Sequence, residues 1–366
     1  MKTPIINLLI TADYELFLGR NFLSDDEVLF EPTRRLIDVC DELNVPVTFF
    51  ADVCSVFAHR KHGLTEYPEK FERQMRAAMH QEHDVQLHIH PHWLFSSYQN
   101  GEWHVSTEKM YLAELGYENT PDSAPPVIAR GVSYLTELLT PEKPDYRCLA
   151  FRAAGLALQP REHDLIGALL DNDILVDSSI IRGVKFKLDT VEIDYSQVPA
   201  AANWYMAAET GINTPCIGGL IEIPIATFRS SLATRLGFLW RRAQSIRMLR
   251  GIGISRAKRQ TGWSNLRTIM KYNLRYLYSD PWFNLSCDTK GYNLRMLLDG
   301  FDNYVTRYPD TGHIFVSMIN HPKMMFEQQF ELLRSFVLEC RGTYGERIRF
   351  VTCTDAWNNA DKILVD

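Results

Sequence analysis

The sequence predicts an α/β fold in which helices cover a parallel sheet. Short apolar runs of strand length alternate along the chain with segments of helical periodicity. Polar residues recur where these runs end, at Asp13, Asp52, His88 and His321. Strands that are apolar throughout are typical of a parallel sheet, either doubly wound or closed as a barrel. In a parallel barrel the carboxyl ends of the strands carry the active site.

The first half of the chain shows the alternation clearly. Residues 5–12 (Ile-Ile-Asn-Leu-Leu-Ile-Thr-Ala) and 45–51 (Val-Pro-Val-Thr-Phe-Phe-Ala) are apolar runs of strand length. Between them, Leu36, Ile37, Cys40 and Leu43 recur at a spacing that predicts a helix over 29–43. The patterns that follow predict a helix at 68–81, a strand at 84–89 and a helix at 126–139.

The second half continues the series with shorter strands. Residues 148–152 and 174–177 predict strands on either side of a helix at 161–171. Three later runs predict strands at 221–225, 313–321 and 347–352. A helix is predicted at 324–340, before the last of these strands.

Two stretches fall outside the alternation. Residues 94–125 are aromatic and polar, and we expect them to form a loop over the active end. Residues 228–285 form a basic insertion that we expect to be mostly helical. The sequence therefore predicts one catalytic domain over residues 1–366 that carries two insertions.

Three histidines alternate in the stretch from His83 to Trp93, namely His88, His90 and His92. Alternate side chains of a strand point to the same face, so the three imidazoles would share one side of a strand end. Neutral imidazole is the commonest protein ligand for zinc and related metals. A coincidental cluster of exposed histidines is the alternative, and a metal site requires carboxylates from other strands.

Charge is distributed unevenly along the chain. Its net charge is −6, but residues 229–275 contain twelve Lys or Arg and no Asp or Glu. The remainder holds 27 basic and 45 acidic residues, a net charge of −18. An acidic body therefore carries one strongly basic segment. Nucleic acid is disfavoured as a partner because the rest of the molecule is acidic.

The basic segment contains a partial amphipathic pattern over residues 235–246. Arg235 and Arg242 lie off its apolar face. The apolar face comprises Leu236, Leu239, Trp240, Ala243 and Ile246. Basic amphipathic helices with Trp lie on anionic membrane surfaces. The alternative is a solvated helix pair that packs on the acidic body.

Cysteine usage and hydropathy predict the compartment. The seven cysteines are scattered without a CxxC pair, which is typical of reduced thiols in a cytoplasmic protein. No apolar stretch approaches the ~18 residues of a spanning helix, and the N-terminal segment lacks the features of a signal peptide. We expect a cytoplasmic protein, peripheral at the inner face of the membrane through residues 229–275.

Asp13, Glu15, His88 and His92 together suit a catalytic metal. Two histidines and a carboxylate, with open positions, are a common catalytic arrangement. Such a metal lowers the pKa of bound water and polarises a carbonyl oxygen. Zinc is the first expectation for this divalent ion, with cobalt, nickel or manganese as alternatives.

Two further residues complete a set of groups for amide hydrolysis. His321, on a different strand, can protonate a leaving amine. Arg152 can place a positive charge beside the catalytic carboxylate. Structural roles are the alternatives: a cap or turn for Asp13 and for Asp177, an ion pair for Arg152, and a loop position for His321.

In the order Thr11-Ala-Asp13, His88 with His92, Arg152, Asp177 and His321, the chain resembles the polysaccharide deacetylases of the NodB type (carbohydrate esterase family 4). The resemblance implies a distorted (β/α)7 barrel that removes N-acyl groups from amino sugars. It implies catalytic roles for Asp13, Arg152, Asp177 and His321. It implies a metal held by His88 and His92 with Asp13 or Glu15.

The chain departs from this family at Tyr14, which stands where the family has a metal-binding Asp. Glu15 can substitute if the strand continues, because it then returns to the side of Asp13. Otherwise Asp13 itself binds the metal, or the site holds metal weakly or not at all. His90 is either a third imidazole ligand or an outer group.

The sequence thus predicts a metal-dependent hydrolase that cleaves an N-acetyl or N-formyl amide on an amino sugar. The expected substrate is a nucleotide- or lipid-linked precursor in surface-polysaccharide synthesis, such as that of lipopolysaccharide. A catalytically silent barrel that binds a glycan or glycolipid is the alternative that Tyr14 motivates. A metal-dependent phosphoesterase is a third, but the additional carboxylate ligands that it needs are not evident.

Overall fold

The computed structural model describes residues 4–17, 23–118, 120–188, 190–251, 281–309 and 311–362, except the side chains of 246–251 and 362. The part of the basic insertion at 252–280 therefore lies outside the described residues. So do the side chains of Ile246, Arg247 and Arg250.

Most of the strands belong to one sheet. The strands are β1 (Ile5–Tyr14), β2 (Val47–Asp52), β3 (Asp84–Ile89), β4 (Ser97–Gln99), β5 (Glu102–His104), β6 (Ala150–Ala153), β7 (Val176–Asp177), β8 (Lys185–Lys187), β9 (Glu192–Asp194), β10 (Trp204–Ala207), β11 (Gly211–Cys216), β12 (Leu220–Glu222), β13 (Thr227–Phe228), β14 (Phe283–Asn284), β15 (His313–Asn320) and β16 (Ile348–Phe350). The sheet order is β11-β10-β12-β7-β6-β3-β2-β1-β15, with β16 also pairing with β1.

Seven successive strands of this sheet run parallel, namely β15, β1, β2, β3, β6, β7 and β12, and the short strand β16 also pairs parallel with β1. Ile225, which follows β12, forms parallel bridges to Ile181 and to Ser317 of β15. These bridges close the sheet into a distorted barrel of seven parallel strands. The expected (β/α)7 barrel with two insertions is confirmed.

Helices cover the outside of the barrel. They are α1 (Glu31–Glu42), α2 (Val53–Lys61), α3 (Glu66–His80), α4 (Ala124–Leu139), α5 (Glu162–Leu170), α6 (Leu232–Gly251), α7 (Leu294–Val305), α8 (Glu327–Tyr344) and α9 (Cys353–Asn358). Every second side chain of β1 faces this layer. Leu8 and Ile10, for example, belong to the same buried cluster as Leu36 of α1 and Phe336 of α8. The sequence patterns did not predict α2 or α7.

The other face of each strand fills the barrel interior in two layers. The lower layer is apolar and contains Leu9, Phe50, Val176 and Phe315, with Ala356 of α9 packed against them. The upper layer is polar and lies toward the carboxyl ends of the strands. Because Asp52, His88 and Arg152 are neighbours across β2, β3 and β6, their side chains rise from the same face.

The segment predicted as a loop at 94–125 contains the hairpin of β4 and β5. Trp103 of this hairpin packs against Trp93, with ring centroids 5.3 Å apart, and against His59 at 4.7 Å. Short 3-10 turns at Pro91–Phe95 and Leu112–Glu114 flank it. Among the described helices, none combines the length and the apolar character needed to cross a membrane. The assignment of residues 1–366 to a single domain stays a prediction.

Gly131 of α4 lies where the helix packs closest to β3. A Cβ atom there would come within 2.8 Å of Leu87 Cδ1 and 3.2 Å of Val53 Cγ2. We expect Gly131→Leu to lower the free energy of unfolding by about 1–3 kcal/mol, because the added side chain overpacks the contact between α4 and Leu87 of β3. Urea denaturation measures this. Gly342→Leu in α8, where a Cβ atom meets nothing within 4 Å, is the control. Equal stability of the two variants would contradict the close packing of α4.

Candidate active site

Asp13 and Arg152 form a buried ion pair at the upper end of the barrel interior. Arg152 Nη1 donates to Asp13 Oδ1 at 2.7 Å and to Thr11 Oγ1 at 2.8 Å. Its Nε donates to the carbonyl of Ser178 at 2.7 Å, and Nη2 donates to Ser178 Oγ and Ser317 Oγ. Arg152 is fully buried, and the charge of Asp13 compensates its own. Arg152 therefore lies directly beside Asp13, while the catalytic roles predicted for both stay predictions.

Glu15 follows the last residue of β1 and lies beside two histidines. Its Oε2 is 3.4 Å from His88 Nε2 and contacts His90 Nε2. His88 Nδ1 donates to the carbonyl of Arg152 at 2.7 Å. In a neutral His88 the lone pair therefore lies on Nε2, which faces Glu15. A carbonyl that fixes one ring nitrogen is a common outer contact of a metal-binding histidine.

Tyr14 does not belong to the site. Its ring faces the helix layer and packs on Phe71 at 5.1 Å, and its hydroxyl donates to Gln74 Oε1 at 2.8 Å. Glu15 therefore brings the carboxylate that position 14 lacks, as its spacing from Asp13 suggested.

His90, rather than His92, is the second histidine beside Glu15. The strand ends at Ile89, and a 3-10 turn begins at Pro91, so the alternation does not extend to His92. The His92 ring centroid lies 5.6 Å from that of His90. Burial, with a smaller contribution from His90, lowers the pKa of His92 to about 3. The structure thus separates His92 from the cluster to which the sequence assigned it, and makes His90 a closer candidate ligand.

His321 approaches Asp13 from the end of β15. Its Nε2 is 3.4 Å from Asp13 Oδ2 and 3.8 Å from Glu15 Oε1. On the other side of the ring, Nδ1 lies 2.7 Å from Asp288 Oδ2, which also accepts the His321 backbone N–H. Burial alone lowers the pKa of His321, but the hydrogen bond and charge of Asp288 outweigh burial and raise it above its ordinary value. Asp288 therefore favours the protonated form of His321, whose Nε2 faces Asp13.

Three functional candidates were not identified from the sequence as site residues. Asp288 belongs to no recognisable sequence motif, and it lies beside His321 only because the fold brings the two segments together. Lys323 is buried and donates to Glu15 Oε1 at 2.7 Å and to the carbonyl of Leu16 at 2.8 Å. Asp52 was noted only as a strand end, although its Oδ1 accepts the His90 backbone N–H at 3.0 Å.

Lys323 sets the charge of Glu15. Burial alone raises the pKa of Glu15, but the charges of Lys323 and His90 outweigh burial and hold the pKa well below its ordinary value. Glu15 is therefore an anion at neutral pH. Because Lys323 takes Oε1, the other carboxylate oxygen is left facing the histidines.

Asp177 is the predicted catalytic residue that lies away from the site. It pairs with Phe151 across β6 and β7, so it faces the helix layer, whereas Ser178 faces inward and contacts Arg152. Asp177 accepts from Ser179 and neighbours Glu222 across β7 and β12. Burial raises the pKa of both carboxyls. The two carboxyls form a structural pair, and the role predicted for Asp177 in catalysis is not compatible with this orientation.

The donor set fits a divalent metal ion. One oxygen or nitrogen atom from each of Glu15, His88 and His90 lies within 4.8 Å of the others, and the same holds for Asp13, Glu15 and His321. Glu15 Oε2 and His88 Nε2 are buried and have no hydrogen-bond partner among the described residues. A carboxylate oxygen that faces imidazole nitrogens at these separations suits a metal cation held between them.

Comparisons with known proteins agree with this fold. No protein-family model matches the sequence, and no curated protein matches it significantly. A solved Mycobacterium smegmatis protein classed as a polysaccharide deacetylase superposes with a TM-score of 0.50 at 14% identity, over 99% of this chain and 93% of that one. The chain has the fold of a polysaccharide deacetylase.

More distant likenesses extend to two other solved proteins. One is a Pseudomonas aeruginosa protein classed as a polysaccharide deacetylase, with 13% identity and a TM-score of 0.46. The other is an allantoinase, with 13% identity and a TM-score of 0.45. Each likeness covers 96% of this chain and 89% of the other. At these values they add no argument to the one from the Mycobacterium structure, and the fold expected from the sequence resemblance rests on that structure.

We expect Asp288→Asn to lower the pKa of His321, because the substitution removes the carboxylate that stabilises the protonated ring. A two-dimensional NMR titration of the histidine side chains measures this pKa without any substrate. Asp299→Asn, on the exposed face of α7, is the control and leaves the titration of His321 unchanged. A His321 pKa that is the same in Asp288→Asn and in the native chain would disprove the role of Asp288.

Proposed function

We propose that this chain is a hydrolase that cleaves a carbon–nitrogen amide bond and removes an acetyl or formyl group from an amino sugar. The observation that carries the proposal is the placement of Asp13. This carboxylate is paired with Arg152 on one side and lies 3.4 Å from the ring of His321 on the other. Amide hydrolysis requires a base for the attacking water and an acid for the leaving amine.

In this proposal Asp13 accepts the proton of the attacking water. Arg152 stabilises the carboxylate form that this role requires, and its hydrogen bonds to three strands keep Asp13 in place. His321 donates a proton to the leaving nitrogen. Asp288 orients the His321 ring and keeps it protonated, because it accepts from Nδ1 and leaves Nε2 toward the site.

Glu15, His88 and His90 would hold the metal ion. A divalent ion bound there, with zinc favoured by its preference for imidazole and carboxylate ligands, would supply polarisation of an acyl carbonyl and a lowered pKa of water. Lys323 fixes the Glu15 carboxylate through Oε1, and the Arg152 carbonyl fixes the His88 ring. Both contacts favour a preformed site.

A groove with aromatic residues in its lining is in keeping with a sugar as the substrate. Its volume is about 650 Å³, and its lining includes Leu16, the chain neighbour of Glu15, together with Tyr98 and Trp103. Aromatic faces in a partly polar groove suit the apolar faces of sugar rings, while the polar groups fix their orientation. The carboxylates of Asp25, Asp26 and Glu102 supply hydrogen-bond acceptors in the same groove.

The substrate class that we propose is a nucleotide- or lipid-linked precursor of a surface polysaccharide such as lipopolysaccharide, modified in the cytoplasm. The seven cysteines are free thiols, which favours a reducing compartment. Precursors carried on a nucleotide or lipid are the forms of amino sugar that such a compartment would offer.

A second candidate function is a catalytically silent barrel that binds a glycan or glycolipid. The observation that favours it is Tyr14, which replaces the family's metal-binding Asp and is packed into the helix layer. The two candidates differ in one measurable property, because only the hydrolase releases an amine from an N-acyl amino sugar.

We expect Asp13→Asn to lower the rate of amine release by about 10²–10⁴-fold, because the amide cannot accept the proton of the attacking water. Amine release from N-acetyl and N-formyl sugar nucleotides and lipid-linked sugars is the assay. Ligand binding is retained, since Asn keeps the oxygen that contacts Arg152. Asp177→Asn is the matched control, because this carboxyl is buried on the other face of the sheet, and it keeps its turnover. Full activity of Asp13→Asn would rule out its role as the base.

We expect the native protein to bind about one equivalent of divalent metal, and Glu15→Ala and His88→Ala to lose it. Elemental mass spectrometry after incubation with zinc, cobalt, nickel or manganese measures this. His90→Ala and His92→Ala distinguish the two candidate second histidines. The geometry predicts loss in His90→Ala and retention in His92→Ala. Metal retained by Glu15→Ala would contradict the assignment of the site.

A further inference from the structure

Helix α6 has two apolar sides, and only one of them packs on the protein. Phe238 is fully buried against Phe283, with ring centroids 5.4 Å apart, and against Tyr292 at 5.7 Å. Arg241 Nε on the same helix donates to the Gly291 carbonyl at 2.8 Å. These contacts attach the first half of α6 to the segment that follows β14.

The other side of α6 presents large apolar residues to solvent. Leu232 is 52% exposed, Leu236 is 52% exposed and Trp240 is 64% exposed. They are spaced four residues apart, so they form one stripe along the helix. The other large exposed apolar residues of the described chain lie singly on different elements: Phe95, Ile217, Met324 and Leu338. A contiguous stripe is therefore specific to α6 and marks an interaction site.

The structure divides the apolar face that the sequence predicted here. Leu239, placed on that face with Leu236 and Trp240, is half-buried and packs with the Phe238 cluster. Leu232, which the sequence pattern did not include, joins the exposed stripe. The inward and outward apolar sides overlap in the sequence, so the pattern alone showed only a partial separation.

Charge identifies the partner of the stripe. Residues 229–275 contain twelve basic residues and no acidic residue, while the rest of the chain carries a net charge of −18. An acidic partner surface repels the body and attracts this segment, so it selects one orientation of the molecule. An apolar stripe with Trp in a segment whose sequence is rich in Arg and Lys fits the interface of an anionic bilayer, where lipid tails take up the stripe and phosphates pair with cations.

We propose that the stripe formed by Leu232, Leu236 and Trp240 docks this protein on an anionic lipid surface. This proposal does not depend on the proposed hydrolase activity, since docking requires no substrate. Helix α6, which carries the stripe, is attached near the site: Arg241 of this helix contacts Gly291, which is three residues after Asp288. If both proposals hold, a lipid-linked amino sugar is favoured over a nucleotide-linked one.

Vesicle co-sedimentation of the full chain tests the docking. Vesicles of phosphatidylcholine with phosphatidylglycerol are compared with vesicles of phosphatidylcholine alone, at low and at high ionic strength. We expect binding to the anionic vesicles that weakens with salt. The double variant Leu236→Ser with Trp240→Ser is expected to bind at least about tenfold more weakly, because it removes most of the inserted apolar surface.

Leu338→Ser is the matched control. Leu338 has the same exposure as Leu236, 52%, but lies alone on α8. This variant is expected to bind as the native chain does, and thermal melting shows that both variants are folded. Equal binding of the double variant and the native chain would overturn the proposal, as would equal binding to neutral and anionic vesicles.

Sedimentation velocity tests the alternative that the stripe binds a second copy of this chain. A native dimer that becomes a monomer in the double variant, without vesicle binding by the native chain, would assign the stripe to self-association and overturn the proposal. A native chain that sediments identically to the double variant and binds anionic vesicles supports it.

Discussion

The buried guanidinium of Arg152 is the constraint on which the rest of the interior depends. A fully buried charge is costly unless it is paired and its donors are satisfied. Here the donors reach Asp13 and Thr11 on β1, Ser178 after β7 and Ser317 on β15. One side chain of β6 therefore joins strands from both halves of the barrel. The same contacts that satisfy the charge place Asp13 at the mouth of the barrel.

The second buried anion, Glu15, is neutralised less completely than Asp13, and this difference leaves a position for a cation. Asp13 has a permanent cation in direct contact, and Glu15 has one on a single oxygen, through Lys323. The other Glu15 oxygen faces the ring nitrogens of His88 and His90. An ion or a proton must stabilise that arrangement, because buried electron-rich atoms repel one another in a medium of low dielectric constant. The barrel thus separates a fixed ion pair from a position that suits an exchangeable cation.

The residues that hold the proposed acid and those that hold the proposed docking helix belong to the same late part of the chain. The segment from β14 to α7 contains Asp288, which holds His321, and Gly291, which receives α6. Helix α6 is therefore attached three residues after Asp288, the residue that orients the proposed acid.

The sequence pattern by itself determined the alternation of strands and helices and the inward positions of Asp13, His88 and Arg152, whereas the choice of a barrel over a doubly wound sheet came from the family resemblance. Period-two alternation along an apolar strand is a local property, so it can be predicted from the sequence of that strand without knowing which strands lie beside it. It does not give the register between strands, and a shift of one residue reverses the face. That is why Asp177 was placed in the site, although pairing with Phe151 turns it outward.

Only the tertiary structure decided which groups meet at the mouth of the barrel. His92 lies within the 3-10 turn Pro91–Phe95, which interrupts the alternation, so His90 lies beside Glu15 instead. Asp288 and Lys323 are far from Asp13 and Glu15 in the sequence and belong to no recurring motif, yet they contact His321 and Glu15. Local pattern fixes which way a side chain points along its own strand. The partner that it meets depends on how distant segments pack, which is a property of the closed barrel.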